Sequence, residues 1–133
     1  MGQTLQDIID QAIYGVPEVK PEERRLFLST ILERIHLALT KKQVIQTGMY
    51  AEALTLFKTK SNLHIYINGD LNYQNYANYV KEAGKLGIPF TVVTPPKPTP
   101  FGLVIADKSK AIHAASVFIE DELYKRDMEE SEK

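Results

Sequence analysis

The strongest candidate for chemistry is a set of four polar residues that follows a segment of alternating apolar and polar residues. The alternation over 34–39 predicts a strand, and the Thr-x-x-Gln pattern after it predicts a helix that begins with a capping box. Lysines in the first turn of that helix oppose its dipole, unless an anion docks against the free N–H groups there. The pattern therefore predicts an anion or RNA site, and the alternative is a pair of ordinary solvated lysines. We call this set the Thr40 helix start; its members are Thr40, Lys41, Lys42 and Gln43.

A second candidate is a short turn that follows the next alternating segment, 63–67. Loops at the C-terminal ends of parallel strands are the usual position of ligand sites in open α/β sheets. The same residues are equally typical of a plain turn that leads into a helix cap. We call this set the Asn68 turn; it consists of Asn68, Gly69 and Asp70.

Metal binding and catalysis have little support in the sequence. His36 and His64 point from the same face of two predicted strands, but zinc normally needs three or four protein ligands, and neither histidine has a second ligand at close spacing. The chain has no cysteine, no Gly-x-Ser-x-Gly elbow and no phosphate-binding glycine loop. We therefore predict no catalytic residue, no metal and no cofactor.

Three tyrosines interleaved with asparagines could stack nucleic-acid bases. Helical spacing directs Tyr73 and Tyr76 toward the core and leaves chiefly Tyr79 outside, so core packing is the favoured interpretation. The proline-rich segment 95–100 cannot enter a sheet interior. It is typical either of a ligand for an aromatic groove or, more commonly, of a rigid connector.

The elements that must position these residues form an α/β pattern. Strands are predicted near 34–39, 63–67, 89–93 and 103–106, with Ile35, Leu37 and Leu39 on one face of the first. Helices are predicted after Thr4, from Pro21, after the first and second strands, and from Ser109 to about Tyr124. The segment 63–94 has the strand–helix–strand order of a parallel β-α-β unit.

Length and composition favour one α/β domain over 1–125, followed by a frayed acidic tail over 126–133. The net charge of the 133 residues is −1, but from Val117 onward there are seven acidic and three basic residues. The remaining body is only mildly basic, well short of a dedicated nucleic-acid binder. The absence of a long apolar run predicts no membrane partner. The absence of cysteine fits a reducing compartment, so we predict a cytoplasmic protein.

Seven segments together resemble the YueI-like family of small proteins from Gram-positive bacteria, and the resemblance covers roughly residues 4 to 120. The segments are Tyr14–Glu18, Lys20–Arg24, Glu33–Arg34, Leu37–Thr40, Gln43–Val44, Ile65–Asn68 and Ile88–Val93.

The resemblance implies a β-α-β-α-β-β core with strand order 1-4-2-3 and an antiparallel fourth strand. That arrangement is similar to chorismate-mutase-like proteins and to kink-turn-binding ribosomal proteins. Kink-turn binders hold RNA at the helix that follows their first strand, which is the place of the Thr40 helix start. Their Gly-x-Asn-Glu motif is missing here, and the proline segment replaces their helix between the last two strands. The family itself is uncharacterised, so the resemblance implies a fold without a function.

We predict a non-enzymatic domain that binds a protein partner or acts as a regulator. The first alternative is a structured-RNA or anion-binding module that uses the Thr40 helix start. The second alternative is a small-molecule enzyme whose site is shared across a homo-oligomer interface. The sequence leaves the oligomeric state and the identity of the partner open.

Overall fold

A computed structural model describes residues 5–13 and 20–132 of the chain. The predicted cap at Thr4 and the family-typical segment Tyr14–Glu18 lie outside the described residues. The helices are α1 (Leu5–Ile13), α2 (Lys20–Leu26), α3 (Lys41–Ile45), α4 (Ala51–Thr59), α5 (Tyr73–Lys85) and α6 (Glu122–Glu132). The strands are β1 (Ile35–Thr40), β2 (Leu63–Asn68), β3 (Phe90–Val93) and β4 (Phe101–Asp107), and a 3-10 turn over Leu32–Arg34 precedes β1.

The strands form one mixed sheet in the order β1-β4-β2-β3, so the predicted order and the predicted mixed α/β class are confirmed. β2 and β3 are parallel and are connected by α5, which confirms the β-α-β unit. β4 runs antiparallel to both of its neighbours, β1 and β2. Every residue of β4 is buried, because the strand lies in the middle of the sheet and helices cover both faces.

Two apolar layers hold the sheet between the helices. On one face, residues of α1, of α2 and of the turn after it pack with Val104, Ala106 and the partly buried Phe118. On the other face, α4 and α5 pack against Ile65, Ile67 and Ile105. No helix within the described ranges is long and apolar enough to cross a membrane.

The pairing of β1 with β4 contains two irregularities, and the first corrects a prediction. Ile35 pairs with Ala106 while Leu37 pairs with Ile105, so His36 is an extra residue in β1. Such a bulge breaks the alternation of side chains. Ile35 consequently packs in one apolar layer, whereas Leu37 and Leu39 pack in the other. The prediction that all three share a face is wrong.

The second irregularity lies in β4 at Gly102. Leu39 pairs with Leu103 and Thr40 with Phe101, which makes Gly102 the extra residue opposite the end of β1. β4 also begins earlier than predicted, at Phe101 instead of Leu103. Thr99 anchors that start, because its hydroxyl donates to the Leu26 carbonyl at 2.7 Å. The end of the proline segment is thereby fixed to α2.

The prediction of a helix from Ser109 to about Tyr124 is wrong. The N–H groups of Ile112 and His113 both donate to the Glu33 carbonyl, and His113 has a left-handed φ of 51°. Further along, the Val117 carbonyl accepts the Ala38 N–H at 2.8 Å, so the segment forms a bridge to β1. The apolar residues of this segment that pack in the two layers are Ala114, Val117, Phe118 and Ile119.

The last helix begins only after Asp121, whose carboxylate accepts the Tyr124 N–H at 3.0 Å. An acid in this position is a strong helix start. α6 then continues to Glu132 and includes most of the segment for which a frayed tail was predicted. Within it, Asp127 is buried against the rest of the protein.

Candidate functional site

The Thr40 helix start has the predicted capping box. The Gln43 side-chain oxygen accepts the Thr40 N–H at 2.9 Å, and the Thr40 hydroxyl accepts the Gln43 N–H at 3.4 Å. Both residues are fully buried, so they serve the helix and the core rather than a ligand in solvent. Only Lys41 and Lys42 of this set reach the surface.

The anion at this helix start is supplied by the chain itself. The Asp127 carboxylate accepts the Lys42 N–H at 2.7 Å, and its other oxygen lies 3.3 Å from the Lys42 ammonium. Glu130, one turn further along α6, lies 3.2 Å from the same ammonium. Hydrogen bonds to Glu130 and Asp127 raise the pKa of Lys42. The carboxylates thereby offset the unfavourable position of a lysine near the positive end of the helix dipole.

The structure brings the Asn68 turn next to the Thr40 helix start. The buried Asn68 amide donates to the Phe101 carbonyl at 3.0 Å, and its oxygen accepts the Asp70 N–H at 2.9 Å. Asp70 is therefore held where its carboxylate lies 3.4 Å from the Lys41 ammonium. Both lysines of the helix start are thus ion-paired, two cations among three carboxylates. An RNA phosphate would have to displace these acids, and RNA binding here stays a prediction.

A partly buried polar network links this region to the start of α4. The Gln43 amide donates to Asp121 at 3.0 Å and to the Ile119 carbonyl at 2.7 Å. The Tyr50 hydroxyl donates to the second oxygen of Asp121, and burial together with this bond raises the pKa of Tyr50. Burial alone would raise the pKa of Asp121, but the bonds it accepts from Tyr50 and from the Tyr124 N–H lower it. Both oxygens of this carboxylate therefore serve to fix the segment before α6.

The tyrosines of α5 are arranged differently from the prediction. Tyr79 is 1% exposed and Tyr73 is 55% exposed, which reverses the expected positions of these two residues. Tyr79 can be buried because its hydroxyl has a hydrogen-bond partner inside the protein: it accepts the Tyr50 N–H at 3.1 Å. Tyr76 is buried as predicted and contacts the Tyr73 ring edge-on.

The histidines form no metal site in the described residues, where no group of three or more metal-binding side chains converges. Burial is the first cause that lowers the pKa of both His36 and His64. The His64 ring instead lies 2.7 Å from the Thr91 hydroxyl, so it joins β2 to β3.

The open edge of the sheet, which is formed by β3, was not predicted from the sequence. The two outer strands differ: the outer side of β1 is covered by Val117 and Phe118, whereas β3 has no neighbour beyond it among the described residues. Phe90 is 43% and Val92 is 45% exposed. We call Phe90–Val93 the β3 edge.

The backbone of the β3 edge has hydrogen-bonding groups that the described part of the chain leaves unpaired. Ile65 donates to the Pro89 carbonyl at 3.0 Å and Gly69 donates to the Val93 carbonyl at 2.7 Å. In a parallel ladder the residues that face the neighbouring strand alternate. Thr91 and Val93 therefore bond to β2, and the N–H and C=O groups of Phe90 and Val92 point outward.

Two further exposed side chains lie at the two ends of α5, the helix that precedes the β3 edge. Leu86 is 53% exposed at the end of α5, and Tyr73 lies at its start. Because the crossover helix runs antiparallel to the strand that follows it, Leu86 lies near the beginning of β3 and Tyr73 near its end. The signal in the sequence was Phe90–Val93 itself, an uncharged β-rich segment between prolines.

Comparisons with known proteins agree with the fold. The sequence matches the family described as "Protein of unknown function (DUF1694)" over residues 2–118. It is 40% identical to the uncharacterized protein YueI of Bacillus subtilis (strain 168) over 128 residues, which cover 95% of this chain and 96% of that protein. The structure is similar to the crystal structure of the YueI protein from Bacillus subtilis, with a TM-score of 0.81 and 37% identity over 92% of this chain and 98% of the other. The chain belongs to this family of unknown function, DUF1694.

Proposed function

We propose that the protein is a non-enzymatic binding domain that recognises a protein partner through the β3 edge. The observation that carries the proposal is the contrast between the two edges of the sheet. The β1 edge is covered by Val117 and Phe118, while the β3 edge presents Phe90 and Val92 to solvent.

An uncovered edge of this kind is a liability that proteins normally avoid. Natural edges are protected by very short strands, by charged residues or prolines on the edge, by bulges or by a covering segment. β3 has four residues, but it contains no charged residue, no proline and no bulge. Added strands bind to such edges through main-chain hydrogen bonds, with alternate side chains giving specificity. The outward groups of Phe90 and Val92 suit this mode.

The Thr40 helix start supports a weaker case. Its lysines already pair with Asp70, Asp127 and Glu130, so a polyanion meets a local excess of negative charge. Binding at the β3 edge breaks no contact that the described residues make. Covering Phe90 and Val92, each somewhat under half exposed, stabilises a complex by roughly 1 kcal/mol per side chain.

A photo-crosslinking amino acid at Leu86 tests the proposal in cells. We expect it to form a specific protein adduct, since Leu86 lies beside the β3 edge without belonging to it. Adding Val92→Lys should abolish that adduct, because the charge would be buried in the complex. Val92→Thr, which keeps the β-branched shape, should retain it.

The same crosslinker at Lys125, an exposed residue of α6, serves as the site control. Identical adducts from Leu86 and Lys125, or a Leu86 adduct that survives Val92→Lys, would contradict binding through the β3 edge.

A further inference from the structure

We infer that the occupant of the β3 edge is the β3 edge of a second copy of this chain, paired antiparallel about a two-fold axis at Thr91. This inference rests on the proposed function and names its partner. It joins two four-stranded sheets into one continuous sheet of eight strands.

The backbone groups of the edge are self-complementary in this register. In an antiparallel pair, residues that point toward each other exchange two hydrogen bonds. A two-fold axis at Thr91 sets Phe90 opposite Val92 of the second copy, and Val92 opposite its Phe90. Both outward-facing residues of each β3 are then paired, with four intermolecular bonds in total.

Other registers satisfy fewer groups. Among the residues of β3 itself, an axis at Phe90 or at Val92 pairs only one outward residue with itself and gives two bonds instead of four. A shift that sets Thr91 opposite an outward residue gives none, since Thr91 bonds to β2. Before β3 the ladder cannot lengthen to compensate, because the Ile88 N–H already donates to the Ala83 carbonyl at 3.0 Å. Beyond Thr94, the outward position is Pro96, which has no N–H.

The side chains match in the same register. Phe90 lies beside Val92 of the second copy on the face that carries α5, an aromatic and β-branched pair of the kind that stabilises adjacent strands. No charged residue lies in Phe90–Val93, so the two-fold axis brings no like charges together. The two α5 helices become antiparallel neighbours. Exposed Leu86 at the end of one α5 then lies toward Tyr73 at the start of the other.

The covered β1 edge limits the assembly to two copies. An interface that uses the same patch on both subunits closes on itself, while a second open edge would allow a fibre. Val117 and Phe118 occupy the outer side of β1, as the bond from Ala38 to the Val117 carbonyl shows. A second copy of this chain is therefore an occupant that covers the one apolar edge left open among the described strands.

The natural absence of cysteine allows a direct test of the register. Directly opposed residues of the non-hydrogen-bonded type have Cα atoms about 4.5 Å apart, which is within the range that a disulfide bridges. Thr91→Cys in the full chain should therefore form a disulfide-linked dimer under mild oxidation. Thr94→Cys is the matched control: six residues of offset place its Cα atoms roughly 20 Å apart, so it should stay monomeric on a non-reducing gel.

Sedimentation of the unmodified chain over a concentration series should give the mass of two chains. Val92→Lys should give the mass of one chain with unchanged circular dichroism, and Val92→Thr should retain the dimer. A wild-type monomer at every concentration, or equal disulfide formation by Thr91→Cys and Thr94→Cys, would overturn the inference.

The outcomes separate this inference from the proposed function. If the chain is monomeric but the Leu86 crosslinker captures a different protein in a Val92-dependent way, self-pairing is wrong and partner binding stands. If the adduct is a second copy of the chain, both are supported. If the chain is monomeric and Leu86 gives no specific adduct, both are wrong.

Discussion

Gly102 sets how closely α3 approaches the sheet. A Cβ at this position would lie 3.0 Å from Leu71 Cδ1, 3.1 Å from the Lys41 Cα and 3.2 Å from Val44 Cγ2. The Lys41 Cα is backbone and cannot rotate away. The glycine therefore allows the Thr40 helix start to rest directly on β4, with the Lys41 N–H donating to the Pro100 carbonyl at 2.9 Å.

We expect Gly102→Ala to lower the free energy of unfolding by about 1–3 kcal/mol, the usual cost of overpacking a filled core. Gly84→Ala is the matched control, because it lies on the exposed side of α5 and an added methyl group would meet no atom within 4 Å. That change should be neutral or should stabilise by about 0.5–1 kcal/mol. Urea denaturation measures both, and equal effects would contradict the steric role of Gly102.

Residue-level predictions succeeded where the partners are close in the sequence. The capping box joins Thr40 to Gln43, three positions apart, and a local pattern determines it. Gly87 ends α5 with a left-handed φ of 72°, and a glycine directly after a helix is likewise a local pattern. Tyr79 was misplaced because its hydrogen-bond partner, Tyr50, is 29 positions away. Periodicity indicates a helical face but carries no information about such a partner.

At the scale of elements, α6 docks on the rest of the protein through its acidic side chains. Asp127 satisfies the Lys42 N–H, one of the first backbone donors of α3, which has no partner within its own helix. Tyr124 packs in the same apolar layer as α1 and α2. The acidic residues for which a frayed tail was predicted thus include Asp127, whose bond to the Lys42 N–H holds α6 against α3.

We expect Asp127→Ala to destabilise the protein by about 1–3 kcal/mol, because it leaves the Lys42 N–H without its acceptor. Glu130→Ala removes the exposed half of the same ion-pair cluster and should cost no more than about 1 kcal/mol. Hydrogen exchange should speed up at Lys42 in the Asp127 variant alone. Equal losses of stability in both variants would show that the capping role is wrong.

Most elements could be predicted from the sequence because their signals are local. The bounds of β1, β2 and β3 agree with the prediction within one residue at each end. The segment after β4 could not be predicted, since its apolar spacing fits a helix while the Ala38 N–H and the Glu33 carbonyl bond it as extended chain. The open β3 edge was missed for a related reason: which strand lies outermost is a property of the whole sheet.

For the whole molecule, buried and partly buried titratable groups make stability depend on pH. Hydrogen bonds from the Ser109 N–H, together with those from the Lys110 N–H and Asn62, lower the pKa of Asp107 despite its burial. A carboxylate whose pKa is lower in the folded than in the unfolded protein stabilises the fold at pH values above its ordinary pKa. This contribution is lost as the pH falls through the pKa of the folded state. Burial lowers the pKa of His36 and His64, so protonation below about pH 6.5 also favours the unfolded chain.

We therefore expect the free energy of unfolding to decrease as the pH falls from neutrality, first through the histidines and then through the carboxylates. Asp107→Asn keeps an oxygen for the three hydrogen bonds but cannot be protonated, so its stability should depend less on pH between about pH 5 and pH 2. Urea unfolding across a pH series measures this. Glu129→Gln, at an exposed position of α6, should show the wild-type slope; a parallel curve for Asp107→Asn would refute the role of that carboxylate.

The strand order has a consequence for how the protein is made. β4, the last strand to leave the ribosome, lies between β1 and β2 and supplies a neighbour to each. At about 5–20 residues per second, translation from Thr40 to Phe101 takes roughly 3–12 s. During that interval β1 has neither of its neighbours, because β4 and Phe118 both lie further along the chain. The first third of the nascent chain is thus the part that a chaperone would need to shield.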